Sequence, residues 1–453
     1  MNEASARPAN VLVMGAAGRD FHDFLRYFRD RPEYRVRAFT ATQIPFIERR
    51  CFPRELAGPL YDADIPIHAE SELPALVARL DIDWVFLSYS DLAHEDVMHK
   101  ASLVQSLGAN FALLGPRATE IAARKPVIAV VAARTGAGKS PLAQWLARGL
   151  RAAGLAAGVI RHPMPYGNLA AQAVQRFASA ADLERHACTV EEREEYEPYV
   201  EAGLAIYAGV DYARVLAAAE AESDLVLWDG GNNDSPFLRP DLLVCVLDAL
   251  RPGHEFRYYP GETNLRRADI VVINKVGGVP RDELEAMRAR VTAVNPRATL
   301  VHADLEIAVE DPGAIAGRRV LVIEDGPTLT HGGMTFGAGT LAARRHGAAT
   351  IVEPRPHAVG TIGEALAAYP ALRGVLPALG YSPAQLADLG ATIAATVAAE
   401  RVDLVLDASP CRLERLLPFD VPVQRVRYAF TQLDGPPLLE VAQALCRGGH
   451  PPD

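Results

Sequence analysis

The chain has 453 residues, 49% of them hydrophobic and 23% charged, with a formal net charge of −10. That length is too great for one ordinary core and predicts about three domains, or two with one enlarged, while the composition excludes disorder beyond the ends. The acidic balance excludes a general affinity for nucleic acid or an anionic membrane, because phosphate backbones and headgroups attract basic surfaces, and leaves open a locally basic site for a small anion. Residues 1–124 then alternate short β-branched runs with amphipathic stretches, the pattern of βα units on a parallel sheet. "NVLVMGAAGRDFHDFLRYF" reads as a strand, a Gly15-x-x-Gly18 turn and a helix; "VRAFT", "DIDWVFLS" and "ANFALLGP" are further strands. The Gly15 to Gly18 turn falls short of a dinucleotide fingerprint, and we expect a small Rossmann-like domain.

Arg124-Lys125-Pro126 marks a boundary, since the residue before a proline is disfavoured in helix. From residue 125 to 318 the text reads as a nucleotide-binding core. "PVIAVVAA" is a buried strand feeding into "RTGAGKS" and a helix from about Lys139 to Ala153, the strand, loop and helix order that a phosphate loop requires. Backbone N–H groups of Thr135, Gly136, Ala137 and Gly138 are expected on the phosphates, with Lys139 on the β/γ bridge and Ser140 on Mg²⁺. The loop departs from the strict pattern at its start, where Ala133 replaces a glycine. Arg134 stands where one class of P-loop proteins, including the nitrogenase iron protein, carries a signature lysine; a guanidinium there predicts a phosphate contact, across a dimer, with pairing to a nearby carboxylate as the alternative.

Further strands end in polar residues, where the ligand crevice of an open parallel sheet lies. "VIRHPMPYGNL" offers Arg161, His162 and Tyr166 to an anion; "LVLWDGGNND" places Asp229 as the second magnesium residue, followed by Asn232 and Asn233. "RPGHE" contributes His254. "VVINKVG" is similar to the guanine-reading element of GTPases, but Gly277 takes the place of the base-reading aspartate, so ATP is expected and Asn274 and Lys275 flank the base. The acidic run "TVEEREEYEPY", residues 189–199, reads as a solvated helix face. Residues 319–453 form a smaller α/β region, in which "EDGPTLTHGGMTFGAG" combines His331 with glycine nests suited to a phosphate or carboxylate, and "EPRPHAVG" adds Arg355 and His357. The five cysteines lie apart without a CxxC pair, no apolar run reaches the ~18 residues that span a bilayer, and the N-terminus lacks an export pattern; a cytoplasmic protein is expected.

Taken together, "RTGAGKS", "RHPMPYG", "TVEEREEYEP", "YAGVDY", "LWDGGNND", "RPGHE", "VVINKV", "EDGPTLTHGGM" and "PRPHAVG" resemble the cyclic 2,3-diphosphoglycerate synthetase family over residues 125 to 360. The resemblance implies ATP- and Mg²⁺-dependent closure of 2,3-diphosphoglycerate into a cyclic anhydride. Lys139 and Arg134 would stabilise phosphoryl transfer, and Arg161, His162, His331 and Arg355 would hold the bisphosphate. Joining two phosphates needs neutralisation of repelling anions rather than a strong base, which agrees with a cationic site. Open alternatives are a regulatory or maturation GTPase, an ATP-dependent carboxylate ligase like dethiobiotin synthetase, and a nucleotide-gated interaction protein. A homodimer is expected, since an extra arginine in the loop makes sense when it reaches a neighbouring subunit.

Overall fold

The computed structural model describes residues 7–16, 18–42, 50–162, 169–231, 234–326, 329, 335–379 and 382–448, the side chains of residues 190 and 191 excepted. Two compact units result, one drawn from Met1–Asp182, Tyr199–Ala303 and Gln432–Asp453, the other from Leu183–Pro198 and Asp304–Thr431. Each is built from parallel-rich sheet and helices, so the fold is of the α/β class: a P-loop sheet preceded by a Rossmann-like sheet and followed by a smaller α/β block.

In the larger unit the first sheet comprises β1 (Ala9–Met14), β2 (Tyr34–Ala41), β3 (Cys51–Phe52), β4 (Ile65–Ala69), β5 (Trp84–Leu87) and, after the short β6 (Leu92–Ala93), β7 (Asn110–Ala112). Its order is β3-β4-β2-β1-β5-β7, parallel except for β3 against β4. The chain thus leaves β1 toward one edge and returns to β5 on the other side, creating a switch point whose crevice opens at the carboxyl ends of β1 and β5. Val11 and Val13 face one core with Phe21, Phe24, Phe28 and Phe39, while Leu12 and Met14 face another with Leu76, Val85 and Leu87. Alternate residues of a strand point to opposite faces, so helices cover both sides.

The second sheet of this unit holds β8 (Val127–Ala132), β9 (Ala157–Ile160), β10 (Gln175–Phe177), β11 (Ile206–Ala208), β12 (Leu225–Trp228), β13 (Leu242–Asp248), β15 (Ile270–Asn274) and the start of β16 (Thr299–Val309). The remaining strand, β14 (Tyr258–Tyr259), pairs with β6 and so ties the two sheets of this unit together. Strands β8, β13 and β15 are buried along their whole length, as continuous Val/Ile/Leu runs in a doubly covered sheet require. The helix Lys139–Ala152 buries Leu142, Ala143, Leu146, Ala147 and Leu150, a stripe at helical spacing; each leucine so buried contributes ~1.5–3 kcal/mol. The order β9-β12-β8-β13-β15 sets five carboxyl ends side by side, and everything in the site follows from that row.

The smaller unit carries β17 (Arg319–Asp325), β18 (Thr350–Ile351), β19 (Leu376–Ala378), β20 (Leu404–Ala408) and β21 (Val423–Gln432), all parallel where paired, with β17 between β20 and β18. Among the described residues no helix is long and apolar enough to cross a membrane.

Candidate functional site

After β8 the chain stays strand-like through Ala133, whose N–H bonds to the Val246 carbonyl at 3.1 Å. The sharp turn comes later, at Gly136 (φ +81°) and Gly138 (φ +105°), which adopt a conformation that L side chains avoid. Ala133 therefore does not need to be the glycine of the strict motif. The outer side of the loop is fastened by three donors: Arg251 Nη2 to the Thr135 carbonyl at 2.7 Å, Lys275 Nζ to Gly136 at 2.6 Å, and Asn274 Nδ2 to Ala137 at 2.8 Å. Asp248, at the end of β13, holds both cations at 2.8 and 2.9 Å. Successive carbonyls are occupied on one side and the Ala137 N–H bonds back to the Arg134 carbonyl at 3.3 Å, which fixes the curvature that a phosphate nest requires. Asn274 and Lys275 thus brace the loop, and Arg251 and Asp248 complete a bracing set that the motif reading of "VVINKVG" did not contain.

On the inner side, Asp229 follows β12 and is fully buried. Lys139 Nζ bonds to its carbonyl and, at 2.9 Å, to Oδ1; Arg161, following β9, bonds to Oδ2, and the Tyr199 hydroxyl donates to the same oxygen at 2.5 Å. Burial opposes ionisation, but Arg161 and Lys139 prevail and hold the Asp229 carboxyl below its ordinary value. Burial, and then Asp229 itself, drives the Tyr199 phenol well above its usual range, so it stays a donor. Arg161 Nη1 also lies 3.3 Å from the Ser140 hydroxyl. One guanidinium nitrogen therefore spans the hydroxyl and carboxylate that were expected to hold Mg²⁺. An ionised carboxylate beside a hydroxyl is the hard oxygen donor set that this ion takes, and a cationic nitrogen stands between them; Ser140 and Asp229 fit the metal.

Arg134 is held by groups of its own chain. Its Nη1 bonds to Asp91 Oδ2 at 2.6 Å, just beyond β5, and its guanidinium stacks 3.9 Å from the centre of the Tyr258 ring. The alternative of a carboxylate partner is what the geometry presents. His162 is buried, its ring packed among Tyr212, Trp228 and Phe237, with Nε2 3.2 Å from Asp234 Oδ2. Burial, then Lys139 and Arg161, push its pKa down to about 3. It is neutral near pH 7 and supplies no charge to an anion. His254 is likewise pushed below its ordinary value, first by burial and then by Arg251 and Arg134.

Arg355 belongs to the smaller unit, where its guanidinium bonds to the carbonyls of Leu366 and, at 2.6 Å, Leu372. The glycine nest of that unit does hold a carboxylate, but the chain's own: buried Glu324 accepts from the N–H groups of Gly337, Gly339 and Thr340 at 3.0, 3.2 and 2.8 Å. Tyr166, Asn232, Asn233 and His331 lie outside the described residues. Tyr199 was hidden in the acidic run, which forms the helix Val190–Glu201. That run is not simply a solvated face, because Glu192, Tyr196 and Tyr199 are buried; two tyrosines three apart, on one helical face, were the available signal.

No family profile matches the chain. It is 51% identical over 440 residues to the arginine synthetase ArcE of Thermococcus kodakarensis, covering 97% of both chains. Among solved structures, LpxK of Aquifex aeolicus in complex with ATP aligns with 78% of this chain and 94% of its own, at 12% identity and a TM-score of 0.40. The cobyrinic acid a,c-diamide synthase of Mycobacterium smegmatis, with bound ADP and magnesium, aligns with 57% of this chain and all of its own, at 14% identity and a TM-score of 0.19.

Proposed function

The chain belongs to the family of the arginine synthetase ArcE, and from that premise we propose that it is an ATP-dependent synthetase that turns a ureido group into a guanidino group. Arginine differs from its ureido counterpart, citrulline, by one nitrogen in place of one oxygen, so synthesis must make that oxygen a leaving group. Transfer of the γ-phosphoryl group does so. The O–P bond forms as ADP departs, ammonia adds its lone pair to the carbon, and phosphate leaves with the C–O electron pair, giving guanidinium.

Residues of this chain suit those steps. The fastened loop would cradle the triphosphate, Lys139 beside Asp229 would reach its β/γ bridge, and Arg161 would offset charge on the transferring group. Ser140 and Asp229 would hold Mg²⁺, which supplies charge neutralisation when bound. Tyr199 and Arg161 orient the carboxylate.

The observation that carries an amino-acid acceptor over a bisphosphate is the matching of charge. Closure of 2,3-diphosphoglycerate, the finer reading implied by the motif resemblance, calls for surplus positive charge around a second polyanion. Here Arg134 faces Asp91, Arg161 and Lys139 share the single carboxylate of Asp229, His162 is neutral, and Arg355 serves backbone carbonyls, so one cationic charge is left over, which the triphosphate takes. A neutral ureido group makes no such demand. The test is ADP release from ATP and Mg²⁺ with ammonium and either citrulline or 2,3-diphosphoglycerate. We expect citrulline to stimulate release with arginine formed in equal amount; stimulation by 2,3-diphosphoglycerate alone, with a new phosphoanhydride ³¹P signal, would overturn the proposal.

A further inference from the structure

Beside the phosphate site the larger unit buries a second group of ionisable side chains that phosphoryl transfer does not use. Asp23 is 1% exposed and Asp234 6%. Asp23 Oδ2 accepts the Ser88 hydroxyl at 2.8 Å and lies 3.6 Å from Arg19 Nε, while Asp23 Oδ1 has no hydrogen-bond partner among the described residues. Asp234 Oδ2 faces His162 at 3.2 Å and the Ser90 hydroxyl bonds to the carboxyl, while Asp234 Oδ1 also has none. Arg19 joins the two: it faces Asp23 and donates from Nη1 to the carbonyl of Ser235 at 3.2 Å, next to Asp234. Leaving a buried acceptor unsatisfied costs its full desolvation, a penalty that a bound donor would remove.

The sign of that donor follows from the charges present. Arg19 is faced by Asp23, Asp234 and Glu120, and Asp234 in turn by Asp20 and Asp23. His22, on the same helix, stacks on Phe237 at 4.1 Å and is held neutral, first by burial and then by Arg19. Tyr259 adds only a neutral phenol. Burial opposes ionisation of Asp23 and Asp234, and a cation between them would restore their ionised form, whereas a phosphate would oppose it further. The group's place is the carboxyl end of β1 and β5, where Ser88 N–H bonds to the Met14 carbonyl, and that is the switch-point crevice. His162 connects it to the phosphate site, because its neighbour Arg161 touches Asp229 and Ser140.

We propose that the unpartnered oxygens of Asp23 and Asp234 form a site for a cationic nitrogen, either the ammonium ion or the α-ammonium group of the amino-acid acceptor. The assignment rests on the synthetase reading for the identity of the ligand, although the site itself does not depend on turnover. Bound as ammonium, the nitrogen is made nucleophilic by loss of one proton to the Asp234 carboxylate, leaving ammonia with a free pair.

The experiment is a thermal-shift titration of the full chain with ammonium chloride, and then citrulline, each against sodium chloride at equal ionic strength. It is repeated with Asp23→Asn and Asp234→Asn after both are shown to bind ATP and Mg²⁺ by calorimetry. A stabilisation by ammonium that both variants lose assigns the ion; one by citrulline alone assigns the α-ammonium group. In assays the KM for that ligand rises at least tenfold in Asp234→Asn with the ATP affinity unchanged. Equal melting temperatures in all salts for the unmodified protein overturn the site, whatever the variants do. An ammonium-specific shift in a protein that makes no arginine sinks the synthetase reading and leaves the site standing.

Discussion

Asp234 shows how a single side chain can be placed at a cost. Burial raises its pKa to about 7 from an ordinary carboxyl value of 3.8. The folded protein therefore binds more protons than the unfolded chain between those values, and the Asp234 contribution to stability is lost as pH rises through that window. His162 acts in the opposite sense: with its pKa down at about 3, stability is lost as pH falls below 6.5. An asparagine cannot ionise, so Asp234→Asn is expected to be more stable than the unmodified protein at pH 8, by roughly 1–3 kcal/mol, with the gap closing toward pH 4. Denaturant titrations at pH 4, 6 and 8 measure it, and a pH-independent difference would show that Asp234 is not held in this way. A variant that gains stability while its KM rises would mark a residue kept for binding. His162 illustrates the reverse lesson about sequence. A histidine after an arginine at a strand end read as cationic, and the surrounding Tyr212, Trp228 and Phe237, contributed by distant segments, make it neutral.

Among the elements, the phosphate loop was legible because its information is local: a buried strand, two glycines that must take positive φ, a lysine and an amphipathic helix follow one another in the text. Its fastening was not, since Thr135, Gly136 and Ala137 are held by Arg251, Lys275 and Asn274 from more than a hundred residues away. The same distance hides the role of Gly261, which opens the helix Gly261–Arg267. A Cβ there would sit 2.0 Å from the Ala133 carbonyl oxygen, a backbone atom with no flexible side chain to yield. Gly261→Ala is expected to destabilise the protein by about 1–3 kcal/mol through overpacking and to weaken ATP binding by shifting the start of the loop. Calorimetric ATP binding together with a denaturant midpoint checks this; a variant with both unchanged would mean that the contact relaxes freely.

At the scale of the molecule the question is whether Arg134 works within its own chain. The loop arginine suggested a dimer in which it crosses to a neighbour, yet Asp91 and Tyr258 hold it within the same unit as Lys139. We expect Lys139→Ala and Arg134→Ala each to lower turnover at least tenfold, and mixtures of the two chains, unfolded and refolded together, to recover no activity. Recovery toward a quarter of normal would show that the arginine acts in trans. A net charge of −10 fits the acceptor site as well, since an acidic surround favours approach of a cation over a second phosphate.

By itself the sequence determined the α/β class, the order of the sheets and the place of the phosphate loop, because alternation of apolar runs, glycine punctuation and helical spacing are properties of neighbouring residues. Asp229 stood out in the same way, as the polar residue directly after an apolar strand. The tertiary structure decided which charges meet which: Arg161 with Asp229 and Ser140, Arg134 with Asp91, Asp23 and Asp234 around Arg19. Net charge at a site is a sum over groups that only the strand order β9-β12-β8-β13-β15 and the β1/β5 switch point bring together. Cations counted along the chain pointed to an anion site, whereas in space Arg134 faces Asp91, Lys139 and Arg161 share Asp229, His162 is neutral and Arg355 bonds to backbone carbonyls.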